Sequence, residues 1–217
     1  MVFSGFKQPR HAGSFGLLMA LVLVSLLGCQ KTQMPKQKPL TKDAKVLAFG
    51  DSLTFGIGVL PEDSYPARLQ ALIQRTVING GVAGELSGEG LKRLPIWLDE
   101  YEPSLLILCH GANDLLRSLS EEKAAANLKA MVKMARDRGI DVLLIAVPKF
   151  GVMRTPPKFY EAIGREFDIP VETFALEQIV RHKEYHSDSV HPNPKGYQLI
   201  ADSVLKDLRQ SGAIQTP

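Results

Sequence analysis

Cysteine is nearly absent: Cys29 and Cys109 are the only two in 217 residues. Two cysteines exclude a disulfide framework and a cysteine-rich metal centre. Aromatic residues make up 7% of the chain, with a single tryptophan. No block of like charge and no fixed-period repeat occurs, which removes charged tails and solenoids. No apolar run reaches the roughly 20 residues that a membrane-spanning helix needs. Gly-x-Ser-x-Gly, Gly-Lys-Ser/Thr and a post-strand Gly-x-Gly-x-x-Gly are also missing. The usual α/β-hydrolase elbow and the common nucleotide cradles are therefore excluded. What remains is 45% hydrophobic and 23% charged, enough for one domain with a sizeable core.

The amino terminus has its own pattern. Lys7 and Arg10 precede an apolar run from Phe15 to Leu27, and no acidic residue lies among them. That run has the length of a signal-peptide core. It closes on Leu26-Leu27-Gly28-Cys29, a small residue followed by a thiol. This resembles the lipobox of bacterial lipoproteins, which implies cleavage after residue 28, a lipidated Cys29 and a membrane anchor. A plain secretory signal that happens to carry a cysteine is the alternative. Within the lipoprotein pattern, Gln30 in place of Asp implies sorting to the outer membrane, facing the periplasm. Losing residues 1–28 removes Lys7 and Arg10 and no acid, so the net charge falls from +3 to +1. Such a balance gives no case for nucleic acid as a partner. Residues 29–43, polar, proline-containing and lysine-rich, are expected to be a flexible tether between anchor and domain. Residues 44–217 are expected to be the domain.

From Ala44 onward, apolar runs alternate with helix-like stretches. Strands are expected at Lys45–Phe49, Thr76–Asn79, Leu105–Cys109, Val142–Val147 and Ile169–Val171. Helices are expected at Tyr65–Arg75, Glu89–Tyr101 with a kink at Pro95, Glu121–Arg138, Pro157–Phe167 and Pro194–Leu208. In Glu121–Arg138 the residues Ala125, Leu128, Val132 and Ala135 recur at spacings of three and four, one apolar face. Strand–helix repetition predicts an α/β domain with a mostly parallel sheet covered on both faces. Ligand sites in such sheets lie at the carboxyl ends of the strands.

The loops at those ends hold chemistry. Gly50-Asp51-Ser52 follows the first strand and presents a serine at a sharp turn. "NGGVAGELSGEG" follows the second, and its glycines let backbone N–H groups approach a ligand. "GAND" follows the third, and the Asn113 amide is a neutral donor suited to a developing oxyanion. "DSVHPN" precedes the last helix, where Asp188 and His191 are spaced to converge. Cys109 sits in an apolar run and is expected to be a small buried hydrophobe. His110 is expected to be a satisfied core histidine, the alternative being a residue that lines the site.

Taken together, "FGDSLTFG", "VAGELS", "GAND" and "DSVH" resemble the four blocks of the SGNH hydrolases, the GDSL esterases and lipases. "EFDIPV" and "HPNPKGYQLIADSVL" are similar to the bacterial thioesterase I, lysophospholipase L1 and arylesterase subgroup. The resemblance implies a three-layer α/β/α fold around a central five-stranded sheet and hydrolysis of esters or thioesters without cofactor or metal. It implies Ser52 as nucleophile, His191 as base, Asp188 as its orienter, and an oxyanion hole of the Ser52 and Gly84 N–H groups with Asn113. The substrate would be a small-molecule or lipid acyl ester. The second block departs from the family's Ser-Gly-x-Thr and reads Ala83-Gly84-Glu85-Leu86. Three other readings compete. His182, His186, Asp188 and His191 could ligate a metal, but Lys183 sits among them and His-Glu-x-x-His is absent. The fold could serve a non-catalytic lipid- or glycan-binding lipoprotein, or the chemistry could remove O-acetyl groups from a cell-surface polysaccharide.

Overall fold

A computed structural model describes residues 1–5, 34–151 and 154–215. The expected signal segment beyond residue 5 and Cys29 lie outside the described residues. Among the described residues no helix is long and apolar enough to cross a membrane.

Five strands form one parallel sheet: β1 (Lys45–Gly50), β2 (Thr76–Gly81), β3 (Leu105–Cys109), β4 (Asp141–Ile145) and β5 (Val171–Glu172). Their order is β2-β1-β3-β4-β5. Every residue of β3 and β4 is buried, as is β1 after Lys45. These are the continuous apolar runs that a sheet covered on both faces requires. Each fully buried leucine or isoleucine there contributes about 1.5–3 kcal/mol of transfer free energy.

The crossover rule sets the layers. The step from β1 to β2 runs one way through α2 (Tyr65–Ile73). The steps into β3, β4 and β5 run the other way through α3 (Ser87–Tyr101), α5 (Glu121–Asp137) and α6 (Phe159–Phe167). Right-handed crossovers then place α2 on one face and α3, α5 and α6 on the other. The contacts agree: α3 packs on α5 and α5 on α6, while α2 packs on the last helix, α8 (Pro194–Ser211). The three-layer expectation therefore holds. Short helices not expected from the sequence are α1 (Ser52–Phe55), α4 (Ala112–Leu116) and α7 (Ala175–Arg181). In α5 the buried face includes Ala124 rather than Ala125, together with Leu128, Met131, Val132 and Ala135.

The tether expected over 29–43 is not loose in its second half. The compact body begins at Met34 rather than Ala44. Gln37 is buried and bridges the amino edge of the sheet to the end of α8. Its Nε2 donates to the Val142 carbonyl at 3.1 Å, and its Oε1 accepts from Ser211 Oγ at 2.7 Å. The Lys38 N–H donates to Asp141 Oδ2 at 2.7 Å, and the Leu40 N–H to the Ala213 carbonyl at 2.9 Å. Buried carbonyls and carboxylates at this edge need donors, and the polar composition that reads as a linker supplies them.

Asp207 lies buried on α8. Burial, reinforced by the Glu172 carboxylate, pushes its carboxyl up to about 7, against the pull of Lys206. A raised carboxyl penalises the fold once ionised, so the penalty is absent below the ordinary value of 3.8 and complete above about 7. Asp207→Asn should therefore raise the thermal midpoint at pH 8 and leave it nearly unchanged at pH 4. Melting curves at the two pH values check this.

Candidate active site

Strand β1 pairs with β2 on one side and β3 on the other, so the chain diverges at its carboxyl end. Crevices form at such a divergence. At Gly50 the ends of β1 and β3 come so close that a Cβ would lie 1.9 Å from the Cys109 carbonyl oxygen. Only glycine fits. The next residue, Asp51, is fully buried and caps α1, its Oδ1 accepting from the Leu53 N–H at 3.1 Å. Burial pushes its carboxyl above the usual range, against the attraction of His110 and backbone donors. The cap starts a helix at Ser52 and leaves the Ser52 side chain facing the crevice rim, 7% exposed.

His191 reaches Ser52 from the far end of the chain. Its Nε2 lies 3.0 Å from Ser52 Oγ, and its Nδ1 lies 2.8 Å from Asp188 Oδ2. The other Asp188 oxygen accepts from the N–H groups of Val190 and His191 at 2.7 and 2.8 Å. Desolvation would raise this carboxyl, but the His191 hydrogen bonds and the Val190 N–H hold it at about 2. Asp188 is 53% exposed, so its orientation comes from this backbone turn rather than from burial. The turn is fixed to α8 through Asn193. Its Oδ1 caps the helix by accepting from Lys195 and Gly196, and its Nδ2 donates to the Glu184 carbonyl.

Gly84 and Asn113 lie in the loops that follow β2 and β3 at the same sheet edge. Gly84 adopts φ +79°, a conformation that disfavours side chains, and is exposed. The N–H groups of Ser52 and Gly84 meet no protein acceptor among the described residues. Asn113 Nδ2 donates one hydrogen to the Glu85 carbonyl at 3.0 Å and keeps a second available. Thus Ser52, His191 and Asp188 form one hydrogen-bonded chain, with Gly84 and Asn113 as free donors in adjacent loops. Beyond α4, a cleft of about 420 Å³ has a mixed lining, apolar from Leu115, Leu119 and Phe150 and polar from Ser118, Glu121 and Lys149. Phe55 at the end of α1, Leu116 at the end of α4, and Leu60 and Val82 stand exposed.

The histidines weighed as metal ligands do not converge. His186 Nε2 lies 2.6 Å from the Ile179 carbonyl, and His182 Nδ1 lies 3.9 Å from Glu184. Cys109 is buried and free. His110 is fully buried with both ring nitrogens partnered, by the Gly111 N–H and by Glu85.

A hydroxyl, an imidazole and a carboxylate in line, at the carboxyl edge of a parallel three-layer sheet, define a serine hydrolase. Residues 48–199 match the model of the GDSL-like Lipase/Acylhydrolase family. The chain is 33% identical over 176 residues to the arylesterase of Vibrio mimicus, covering 76% of this chain and 88% of that protein. It is 28% identical over 172 residues to thioesterase 1/protease 1/lysophospholipase L1 of Escherichia coli strain K12, covering 76% and 83%. Among solved structures it is similar to the psychrotrophic esterase EstA from Pseudoalteromonas sp., inhibited by monoethylphosphonate. The TM-score is 0.69 at 26% identity over 77% of this chain and 98% of that one. The chain belongs to the GDSL-like lipase/acylhydrolase family and is a carboxylic ester hydrolase.

One cluster here was not expected from the sequence, where its only hint is His110 closing an apolar run. Arg93 Nε and Nη2 grip Glu85 at 2.8 and 2.7 Å, and His110 Nε2 lies 3.2 Å from Glu85 Oε2. Burial would raise the Glu85 carboxyl, but Arg93 and His110 outweigh it and hold it at about 2. A depressed carboxyl contributes stability that is complete above its ordinary value, 4.5, and lost as pH falls through about 2. The thermal midpoint should therefore drop between about pH 4.5 and 2. Glu85→Gln should start lower at pH 7 and show a shallower acid limb.

Proposed function

We propose that Ser52 is the nucleophile, His191 its general base and Asp188 the group that orients His191. The hydrogen-bonded chain from Ser52 Oγ through His191 to Asp188 carries this reading. Ser52 Oγ attacks the acyl carbonyl carbon while His191 Nε2 takes the hydroxyl proton. The negative charge on the carbonyl oxygen is met by the N–H groups of Ser52 and Gly84 and the Asn113 amide. Collapse expels the alcohol or thiol, which receives the proton from His191. Water, deprotonated in turn by His191, then attacks the acyl-Ser52 ester and releases the acid. Asp188 remains ionised throughout and stabilises the imidazolium.

The substrate class is an acyl ester with an apolar acyl group, extending to thioesters and lysophospholipids. The exposed Phe55, Leu60, Val82 and Leu116 support it. Apolar surfaces of this kind gain from covering hydrocarbon. The exposed Asp188 side of the rim would also admit a bulky polymer, so O-deacetylation of a surface polysaccharide is the second reading.

The Lys7–Cys29 pattern supports a lipid-anchored protein. Cys29 would carry the lipid and the domain would face the periplasm at the outer membrane. Cys29→Ser should then shift the protein from the detergent phase to the aqueous phase on Triton X-114 partition of cells. A wild-type protein already in the aqueous phase would remove the anchor.

The function is tested by hydrolysis of p-nitrophenyl esters from acetyl to palmitoyl with the full chain. Ser52→Ala should lose about 10⁴-fold or more in turnover, and Asn113→Ala about 100- to 1,000-fold. Activity rising beyond acetyl supports an acyl esterase, while activity confined to acetyl moves the reading to the deacetylase. Wild-type turnover in a folded Ser52→Ala variant overturns the mechanism.

A further inference from the structure

The loop after β2 and the loop after β3 each supply one oxyanion donor, and each must be held relative to the other. Four side chains connect them. The Asn113 amide donates to the Glu85 carbonyl at 3.0 Å, and Arg117 Nη2 to the Gly84 carbonyl at 3.3 Å. Asp114 accepts from the Ser87 N–H at 2.9 Å and from Ser87 Oγ at 2.7 Å. His110 reaches the Glu85 carboxylate. Three of these contacts come from side chains of α4 and its C-cap, Arg117 exposed and Asp114 buried. The fourth belongs to a buried unit that carries charge.

In that unit Glu85 is 7% exposed, His110 is fully buried, and the Arg93 side chain is 19% exposed. The Gly111 N–H donates to His110 Nδ1 at 3.0 Å. Nδ1 is therefore the acceptor, and Nε2 carries the hydrogen that points at Glu85. Tyr160 Oη donates to the His110 carbonyl at 2.9 Å and fixes the strand end that carries the ring. Arg93 binds both Glu85 oxygens and also donates to the Gly80 carbonyl at 3.0 Å. Its guanidinium stacks 4.0 Å from the centre of the Phe49 ring on β1. One unit therefore touches the carboxyl ends of β1, β2 and β3. Its Glu85 follows Gly84 directly and gives its carbonyl to Asn113.

We propose that Glu85, Arg93 and His110 form a positioning unit for the oxyanion hole, with Glu85 as its hub. The carboxylate, gripped from two sides, fixes Glu85, and two backbone groups depend on where Glu85 sits: the Gly84 N–H just before it and its own carbonyl, which holds one Asn113 amide hydrogen. The other Asn113 hydrogen then points to the carbonyl oxygen of the substrate. The unit touches no reacting atom. It is preorganisation of the kind that oxyanion stabilisation requires, because donors that must reorient contribute little at the moment of reaction. The proposal rests on the Ser52 mechanism above.

The test uses the full chain with Glu85→Gln and His110→Leu, each alone and each combined with Asn113→Ala. His110→Leu leaves the Arg93–Glu85 pair in place and carries the test should Glu85→Gln not fold. Misplacing a donor by about 1 Å costs up to about 100-fold. Each single variant should lose about 10- to 100-fold in kcat on p-nitrophenyl butyrate, with KM within about twofold. On the Asn113→Ala background the same change should cost about threefold or less, because the donor it orients is gone. A folded variant with unchanged kcat overturns the proposal, and so does an equal loss in both backgrounds. Stoichiometric labelling by a fluorophosphonate separates the two levels. Wild-type protein that is not labelled at Ser52 removes the serine mechanism itself. Labelled Glu85→Gln with full turnover removes only the positioning role.

Discussion

The parallel pairing of β1 with β2 on one side and β3 on the other is the constraint on which the active edge depends. Three strands pointing the same way deliver three loops to one place. Gly50 lets β1 and β3 close to a distance that no side chain would survive. The divergence of the chain beyond that contact opens the crevice. Ser52, Gly84 and Asn113 each fall within four residues of a strand end, so the rigidity of the sheet passes to them through short connections. Asp188 and His191 come from elsewhere, on one turn fixed to α8, a helix packed on α2. The sheet thus places three of the five groups, and the turn before α8 places the other two.

Charge is handled differently on the two sides of the serine. Asp188 is half exposed, and His191 with the Val190 N–H outweighs its desolvation. Glu85 is buried and needs a full cation against it. Arg93 supplies that cation in a two-pronged geometry that satisfies both carboxylate oxygens. Breaking either member would leave a buried charge alone, a costlier state than either the pair or an apolar replacement of both. The exposed carboxylate adjusts the imidazole, while the buried one keeps a peptide still.

The sheet was legible because β1, β3 and β4 are continuous apolar runs, the pattern of strands buried on both faces. Helix α5 was legible through its period, with an error of one residue at Ala124, where several alanines in succession leave the period ambiguous. The helices α1, α4 and α7 were not expected because they span four, five and seven residues, too short for a period to register. Ser52, Asp188, His191, Gly84 and Asn113 all stood out as residues of catalytic type at strand ends or before a helix. The partnership of Glu85, Arg93 and His110 did not. Their separations of 8 and 25 residues follow from tertiary packing, and no local rule connects them. The one hint was a histidine closing an apolar run, since a polar ring in that position requires a partner. The docking of Gln37 was hidden because a buried amide and a solvated one look alike in a polar stretch.

Gln37 binds at the amino ends of the strands, beside Asp141 and Val142, and Ser52 stands beyond the carboxyl end of β1. Five or six residues of extended chain separate those two edges, about 17–20 Å. The polypeptide therefore leaves the body by its base, with the reactive serine at the summit. A load on the chain upstream of Gln37 is thus taken by the amino edge of the sheet, through the Val142, Asp141 and Ser211 contacts, and does not pass through the loops that hold Ser52.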